Sequence, residues 1–244
     1  MREMILAVAQ HGDAPGHGGA LFVIPGIGLE VTSRVTTMWG IMAVIILFGW
    51  LVTRGLKQIP ESRLQNGVEM ALEGLMSILN SIMHENQARR FLPFLGSLFI
   101  FILVSNYSGL LPGAGELPGF NPPTNTWSVT AGLAIIVFVV VHFFGIKEKG
   151  LGYFKHFVEP LFLAPLMLPL SILEELVKPF SLSLRLYANI FAGEAVLLGL
   201  LFALPYFLPI SVLLLEVIFG FVQAFIFTTL ATVYIANATS EAEH

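Results

Sequence analysis

Three stretches of this chain, Val35–Val52, Phe91–Leu111 and Trp127–Ile146, contain no Asp, Glu, Lys or Arg, and His142 is their one histidine. The shortest has 18 residues and rises about 27 Å as an α-helix, close to the ~30 Å hydrocarbon thickness of a bilayer. In water such helices would have no polar face, whereas in lipid a helix satisfies every backbone group internally. The composition agrees: 56% of the 244 residues are hydrophobic and 11% are charged, against about a quarter charged in a soluble domain. One integral membrane domain spanning 1–244 is expected. It should be all-α, with about five membrane-crossing helices. Residues 35–53, 91–111 and 127–146 form spans one to three, and 1–34 an external N-terminal segment.

The same composition excludes several classes. A net charge of −4 with no basic run argues against nucleic acid. Cysteine is absent, which removes disulfides, thiol chemistry and cysteine metal sites. The apolar stretch Met4–Ala9 is too short for a signal peptide, so no cleaved leader is expected. His84-Glu85 begins a zinc-protease pattern, but Ala88 stands where its second histidine belongs. His11 and His17, among glycines, read as solvated loop residues. No metal and no cofactor is expected.

Between the first two spans, Leu64, Val68, Ala71, Leu72, Leu75, Leu79, Ile82 and Met83 share one helical face. Gln65, Asn66, Glu69, Glu73, Ser77, Asn80 and His84 take the other, so 64–84 is expected to be an amphipathic helix at the membrane interface. Orientation follows from basic residues, which accumulate in cytoplasmic loops. Arg54, Lys57, Arg63, Arg89 and Arg90 mark one such loop, and Lys147, Lys149 and Lys155 another. Residues 113–126 carry no basic residue and form an external turn. The N-terminus is then outside and the C-terminus cytoplasmic.

From His156 onward the chain is apolar, broken by Pro160, Pro165, Pro169 and Pro179 and later by Pro205 and Pro209. The late pair marks a hairpin turn. Its arms, 162–204 and 206–238, are expected to be tilted. Phe180–Leu204 alone rises about 37 Å, more than a bilayer core needs.

The hairpin carries the chemistry. Arg185 is embedded in the apolar sequence SLSLRLYANIFAGE, where a guanidinium costs at least ~2.5 kcal/mol to insert and so normally faces protein or water. Lys178, nearer the start of the segment, suits snorkelling, and its replacement by alanine is expected to be mild. Glu194 lies about 180° around the helix from Arg185, so the two cannot pair locally. Asn189 shares the arginine's face, and Glu216 and Gln223 share a face of the last helix. Antiparallel arms turning near Leu204-Pro205 bring Arg185 level with Gln223 and Glu194 level with Glu216, giving two polar layers. Two carboxyls at close range in low dielectric cannot both ionise freely and are suited to proton exchange. Glu174 and Glu175 precede Pro179. Glu174 is nearly in phase with Arg185 if the helix is continuous through the proline.

SLSLRLYANIFAGE (Ser181–Glu194) and VQAFIFTTLATVYIANA (Val222–Ala238) closely resemble subunit a of the rotary F-type ATP synthase. RRFLPFLGSLFIFILVSNYSGLLPG (Arg89–Gly113) and LSILEELVKP (Leu170–Pro179) are similar to it as well. The resemblance implies a non-catalytic, ion-conducting stator subunit in which Arg185 faces the carboxylates of a rotating c-ring of small hairpin subunits. It also implies two offset half-channels: Asn189 and Gln223 neighbour the arginine, Glu194 and Glu216 line the outer channel, and Glu174 or Glu175 lies near the cytoplasmic one. The coupling ion is expected to be a proton, with Na⁺ as the alternative, because on the family's pattern that choice rests mainly with the ring. The implied partners are the c-ring, b-type peripheral-stalk subunits, the remaining synthase subunits and the lipid bilayer. The implied location is a bacterial plasma (inner) membrane, with a thylakoid membrane as the alternative. The family often has an Asp in its external turn, and Pro123-Thr124-Asn125-Thr126 lacks it. A stand-alone secondary ion transporter is the competing reading; it predicts internal repeats, and the two halves show none.

Overall fold

The computed structural model describes residues 20–23, 30–54, 62–111, 122–150, 152–153, 164–203 and 208–239. His11 and His17, the hairpin turn at Leu204-Pro205 and most of the external turn lie outside the described residues, as does the side chain of Glu194. Among the described residues are six α-helices: α1 (Ser33–Arg54), α2 (Arg63–Ile82), α3 (Glu85–Ser108), α4 (Trp127–Lys149), α5 (Ala164–Ala203) and α6 (Leu208–Thr239). A 3₁₀ turn, Pro123–Asn125, precedes α4. The protein is an all-α membrane protein, and α1, α3, α4 and α6 are each long and apolar enough to cross a bilayer.

A two-stranded ribbon that the hydropathy pattern did not signal precedes α1. β1 (Ala20–Val23) pairs antiparallel with β2 (Glu30–Thr32), Val23 opposite Glu30. Its Phe22, Val23, Val31 and Thr32 are β-prone, and Pro25-Gly26 is a turn signal between them. The ribbon is too short to change the fold class.

The amphipathic segment forms α2, opened by Ser62, whose Oγ accepts from the Gln65 amide at 3.1 Å. Such an N-cap satisfies one of the first unpaired donors of a helix. Only the C-terminal half of its apolar face is enclosed. Leu79 and Met83 are buried and Leu75 and Ile82 pack beside them, while Leu64 is 69% exposed. Gln65, placed by periodicity on the polar face, is instead buried and donates to Glu69 Oε1 at 2.7 Å.

The packing centre is α6, which contacts α2, α3, α4 and α5. Four neighbours demand a slim helix, and its enclosed positions include Ala224, Ala231, Ala236 and Ala238 beside Phe227 and Ile235. Small side chains of this kind let helix backbones approach closely in membranes. Three enclosed threonines direct their hydroxyls back to the helix, Thr228 to Ala224 O at 2.9 Å, Thr232 to Thr228 O at 2.8 Å and Thr239 to Ile235 O at 2.8 Å. They therefore bring no unpaired donor into the core.

The longest helix is α5, with 40 residues and a length of roughly 60 Å. It runs unbroken through Pro169 and Pro179. A proline removes one hydrogen bond and tends to bend a helix, but packing on neighbouring helices carries the chain through. The contacts show how α5 lies. Trp127, at the start of α4, donates to Ser183 Oγ at 3.3 Å, and His142, further along α4, faces Glu175 at 3.8 Å. The cavity between them is lined from Ala134 to His142 on α4 and from Glu174 to Leu182 on α5, so the two helices stay in contact over about 12 Å of each. The other arm packs on α3: Phe99 meets Phe221 edge-on at 6.0 Å, while Asn106 and Tyr107 bond to Gly220 and Val217. Each arm is thus fixed against a preceding span by named contacts.

One glycine makes a close approach possible. A Cβ on Gly145 of α4 would stand 2.6 Å from the ring of buried Tyr153, whereas one on Gly132 of the same helix meets nothing within 4 Å. Gly145→Ala should therefore destabilise the chain by the ~1–3 kcal/mol typical of overpacking, seen as a lower thermal midpoint in detergent. Gly132→Ala in the same assay should not lower it.

Candidate functional site

Arg185 sits near the middle of α5 with its side exposed, between the buried Leu182 and Leu186. The exposed face continues through Ala188, Ala192, Ala195 and Gly199, a repeat of three and four residues that keeps them in line with the arginine. Among the described side chains no carboxylate pairs with Arg185; the ion pairs there belong to Arg89, Arg90, His142 and Lys178.

Two contacts set the register of the hairpin. A Cβ on Gly193 would lie 3.0 Å from Glu216 Oε1, so this glycine makes room for the carboxylate. Further down, Lys178 Nζ stands 5.7 Å from the Tyr234 ring. Between these levels α5 carries Arg185 and half-buried Asn189, and α6 carries Gln223. The 193/216 contact falls between the two pairings expected from spacing, Arg185 with Gln223 and Glu194 with Glu216.

Gln223 is 5% exposed and its Nε2 has no hydrogen-bond partner among the described residues. Beside it runs a polar seam from α3. Asn106 donates to Gly220 O at 3.0 Å and Tyr107 to Val217 O at 3.2 Å, while Asn106 Oδ1 and Ser105 Oγ, both buried, also lack a described partner. Buried polar atoms are expensive without partners, so three of them beside Glu216 and Gln223 mark a place suited to water or ion passage. Sequence reasoning passed over Asn106 and Tyr107. The available signal was an Asn-Tyr-Ser run inside an otherwise apolar span.

At the other end of the bundle, α4, α5 and α6 enclose a cavity of about 140 Å³ lined by His142, Tyr153, Glu174, Glu175, Lys178 and Tyr234, among others. Because α5 is continuous, Glu174 and Lys178 share the arginine's face while Glu175 turns inward. Accordingly Glu174 is 71% exposed at the rim and Glu175 only 19%. Lys178 is held by both, at 2.5 Å from Glu175 Oε1 and 3.5 Å from Glu174 Oε1. This replaces the snorkelling expected for it: its carboxylate partners stand one turn back on the same helix, so its head stays in protein. Burial, with a further contribution from the Glu175 charge, pushes the Tyr153 hydroxyl from its ordinary 10.0 up to about 12, so it stays protonated at working pH. The same end is tied by Arg90 to Glu148 at 2.6 Å and by Lys149 Nζ to Asn237 O at 3.2 Å. No cluster of histidine and acidic side chains suited to a metal exists among the described residues.

A family model described as ATP synthase A chain matches residues 35–236. The chain is 42% identical over 210 residues to ATP synthase subunit a of Moorella thermoacetica, covering 86% of this chain and 91% of that protein. It is 43% identical to ATP synthase subunit a 2 of a Bradyrhizobium species, covering 86% and 90%. It is 40% identical to the chloroplastic ATP synthase subunit a of Stigeoclonium helveticum, covering 88% and 87%.

The register has a direct test, because the chain contains no cysteine. A Gly193→Cys, Glu216→Cys double variant should form a disulfide on mild oxidation, read as lost labelling by a maleimide polymer. An Arg185→Cys, Glu216→Cys pair, about two helical turns out of level, should remain fully labelled.

Proposed function

The chain belongs to the ATP synthase A chain family, and we propose that it is the proton-translocating stator subunit of the synthase's membrane sector. The observation that carries this reading is Arg185, an exposed guanidinium on a face of small residues, unpaired by any described carboxylate of its own chain. A bare cation in that setting is costly, and a carboxylate arriving on another subunit would compensate it. The alanine and glycine line beside it allows a neighbouring helix to approach, as a ring of hairpin subunits must.

Arginine stays protonated at any working pH, so it does not relay protons. It separates two routes. An ionised ring carboxylate is drawn to Arg185, whereas a protonated, neutral one passes into lipid. Glu194 and Glu216, with Asn189 and Gln223, serve the half-channel from the outer side. Glu174 and Glu175, with the cavity beside them, serve the other. The basic ends of α1, α3 and α4, with Arg54, Arg90, Lys147 and Lys149, face the cytoplasm by the charge rule, which places the cavity on that side and the N-terminus outside. Each proton carried through contributes ~2.3 kcal/mol per 100 mV, so several must pass for each ATP. The subunit makes no bond itself. It works with the ring, the b-type stalk and the catalytic subunits, in a bacterial plasma membrane.

Arg185→Ala should abolish ATP synthesis driven by an imposed proton gradient in proteoliposomes that hold the whole synthase. Glu194→Gln and Glu216→Gln should slow it without preventing assembly. Normal synthesis by the arginine variant would end this assignment.

A further inference from the structure

Among the titratable side chains lining the cavity between α4, α5 and α6 is a histidine that the proton route above does not use. His142 is the sole ionisable residue in the apolar run 127–146, and in a span such a residue marks an ion pathway by default. Its Nδ1 lies 2.9 Å from Phe138 O. A carbonyl only accepts, so Nδ1 carries the hydrogen and Nε2 is left as the basic nitrogen. Nε2 faces Glu175 Oε2 at 3.8 Å, longer than a direct hydrogen bond and suited to a bridging water or a small ring movement.

Glu175 is thus shared between two cations of different kinds. Oε1 takes Lys178 at 2.5 Å, and Oε2 is turned to the imidazole. The other groups around the ring are accounted for. Tyr153 stands edge-on to it at 5.8 Å and keeps its proton, since burial and Glu175 push it up to about 12. From α5, Glu174 reaches Lys178 at the rim; from α4, Lys149 is bonded to Asn237 O; from α6, Tyr234 and Asn237 line the wall. Among these groups the imidazole is the one that can take up a proton at one ring nitrogen while the other already carries a hydrogen.

We propose that His142 is a proton-relay residue between the water of this cavity and the Glu175 carboxylate; the proposal rests on the proton-translocating reading above. In the inward step a hydronium in the cavity loses its proton as the Nε2–H bond forms, leaving water and an imidazolium beside Glu175. The Nε2–H bond then breaks as Oε2–H forms, which returns His142 to its Nδ1–H form. The outward step is the reverse, so one route serves synthesis and hydrolysis.

The test uses the whole synthase in liposomes, with proton conduction measured as a function of pH. His142→Gln keeps side-chain size and a donor, and should slow conduction about tenfold, less than the ~10²-fold of a general acid–base group where water has no access. It should also remove the histidine inflection from the pH profile. His142→Ala should be slow and restored by added imidazole but not by pyrazole, which has the same shape and is far less basic. Wild-type rates in both variants, a retained inflection, or equal rescue by pyrazole would overturn the relay. Arg185→Ala serves as the control in the same assay. Intact coupling there would overturn the proton-translocating reading, whereas a dead arginine variant beside normal histidine variants would remove the relay alone.

Discussion

A guanidinium at membrane depth must have a carboxylate, water or protein dipoles beside it, and the rest of this molecule is arranged under that requirement. Arg185 is held between Leu182 and Leu186, whose burial locks the phase of α5 and turns the arginine outward. Nearby acids are employed elsewhere or displaced along the hairpin. Glu175 and Glu174 are occupied by Lys178, and Glu216 is seated against Gly193 about two turns away. The positive charge is left for a group outside the described chain.

Keeping the arginine there depends on how its helix lies. Contacts along its length fix each arm against its neighbours. Besides apolar packing they include polar ones: Trp127 to Ser183, Asn106 to Gly220, Tyr107 to Val217. In lipid there is little hydrophobic force between helices, so close packing and interhelical hydrogen bonds carry the association. The alanines of α6 provide the first and the α3 side chains the second. The same arrangement separates two polar regions, the Ser105–Asn106–Gln223 seam and the His142–Glu175–Lys178 cavity, with Arg185 at the level of Gln223.

Some of this was legible in the chain itself. Uncharged runs long enough to cross a bilayer identify themselves by composition, and the isolation of Arg185 is visible without any structure. Spacing also placed the polar residues of the two arms near one another in level, because antiparallel helices share one rise per residue. Other features were hidden. Pro179 reads as a break, and only packing carries α5 through it. Lys178 looks like a residue that snorkels until the continuous helix turns both glutamates toward it. His142 and Tyr153 are distant from Glu175 in sequence, and no period links a residue of α4 to one of α5.

The sequence alone determined that this chain enters a membrane as helices and isolates one arginine in a long apolar run, because both depend on local composition and on the fixed rise of an α-helix. Tertiary structure decided which carboxylate meets which cation and which polar atoms stay unpaired. It also decided that Gly193 and Gly145 admit Glu216 and Tyr153. Those outcomes depend on how the hairpin packs against its neighbours, which is set by contacts between residues far apart in the chain and by no local rule.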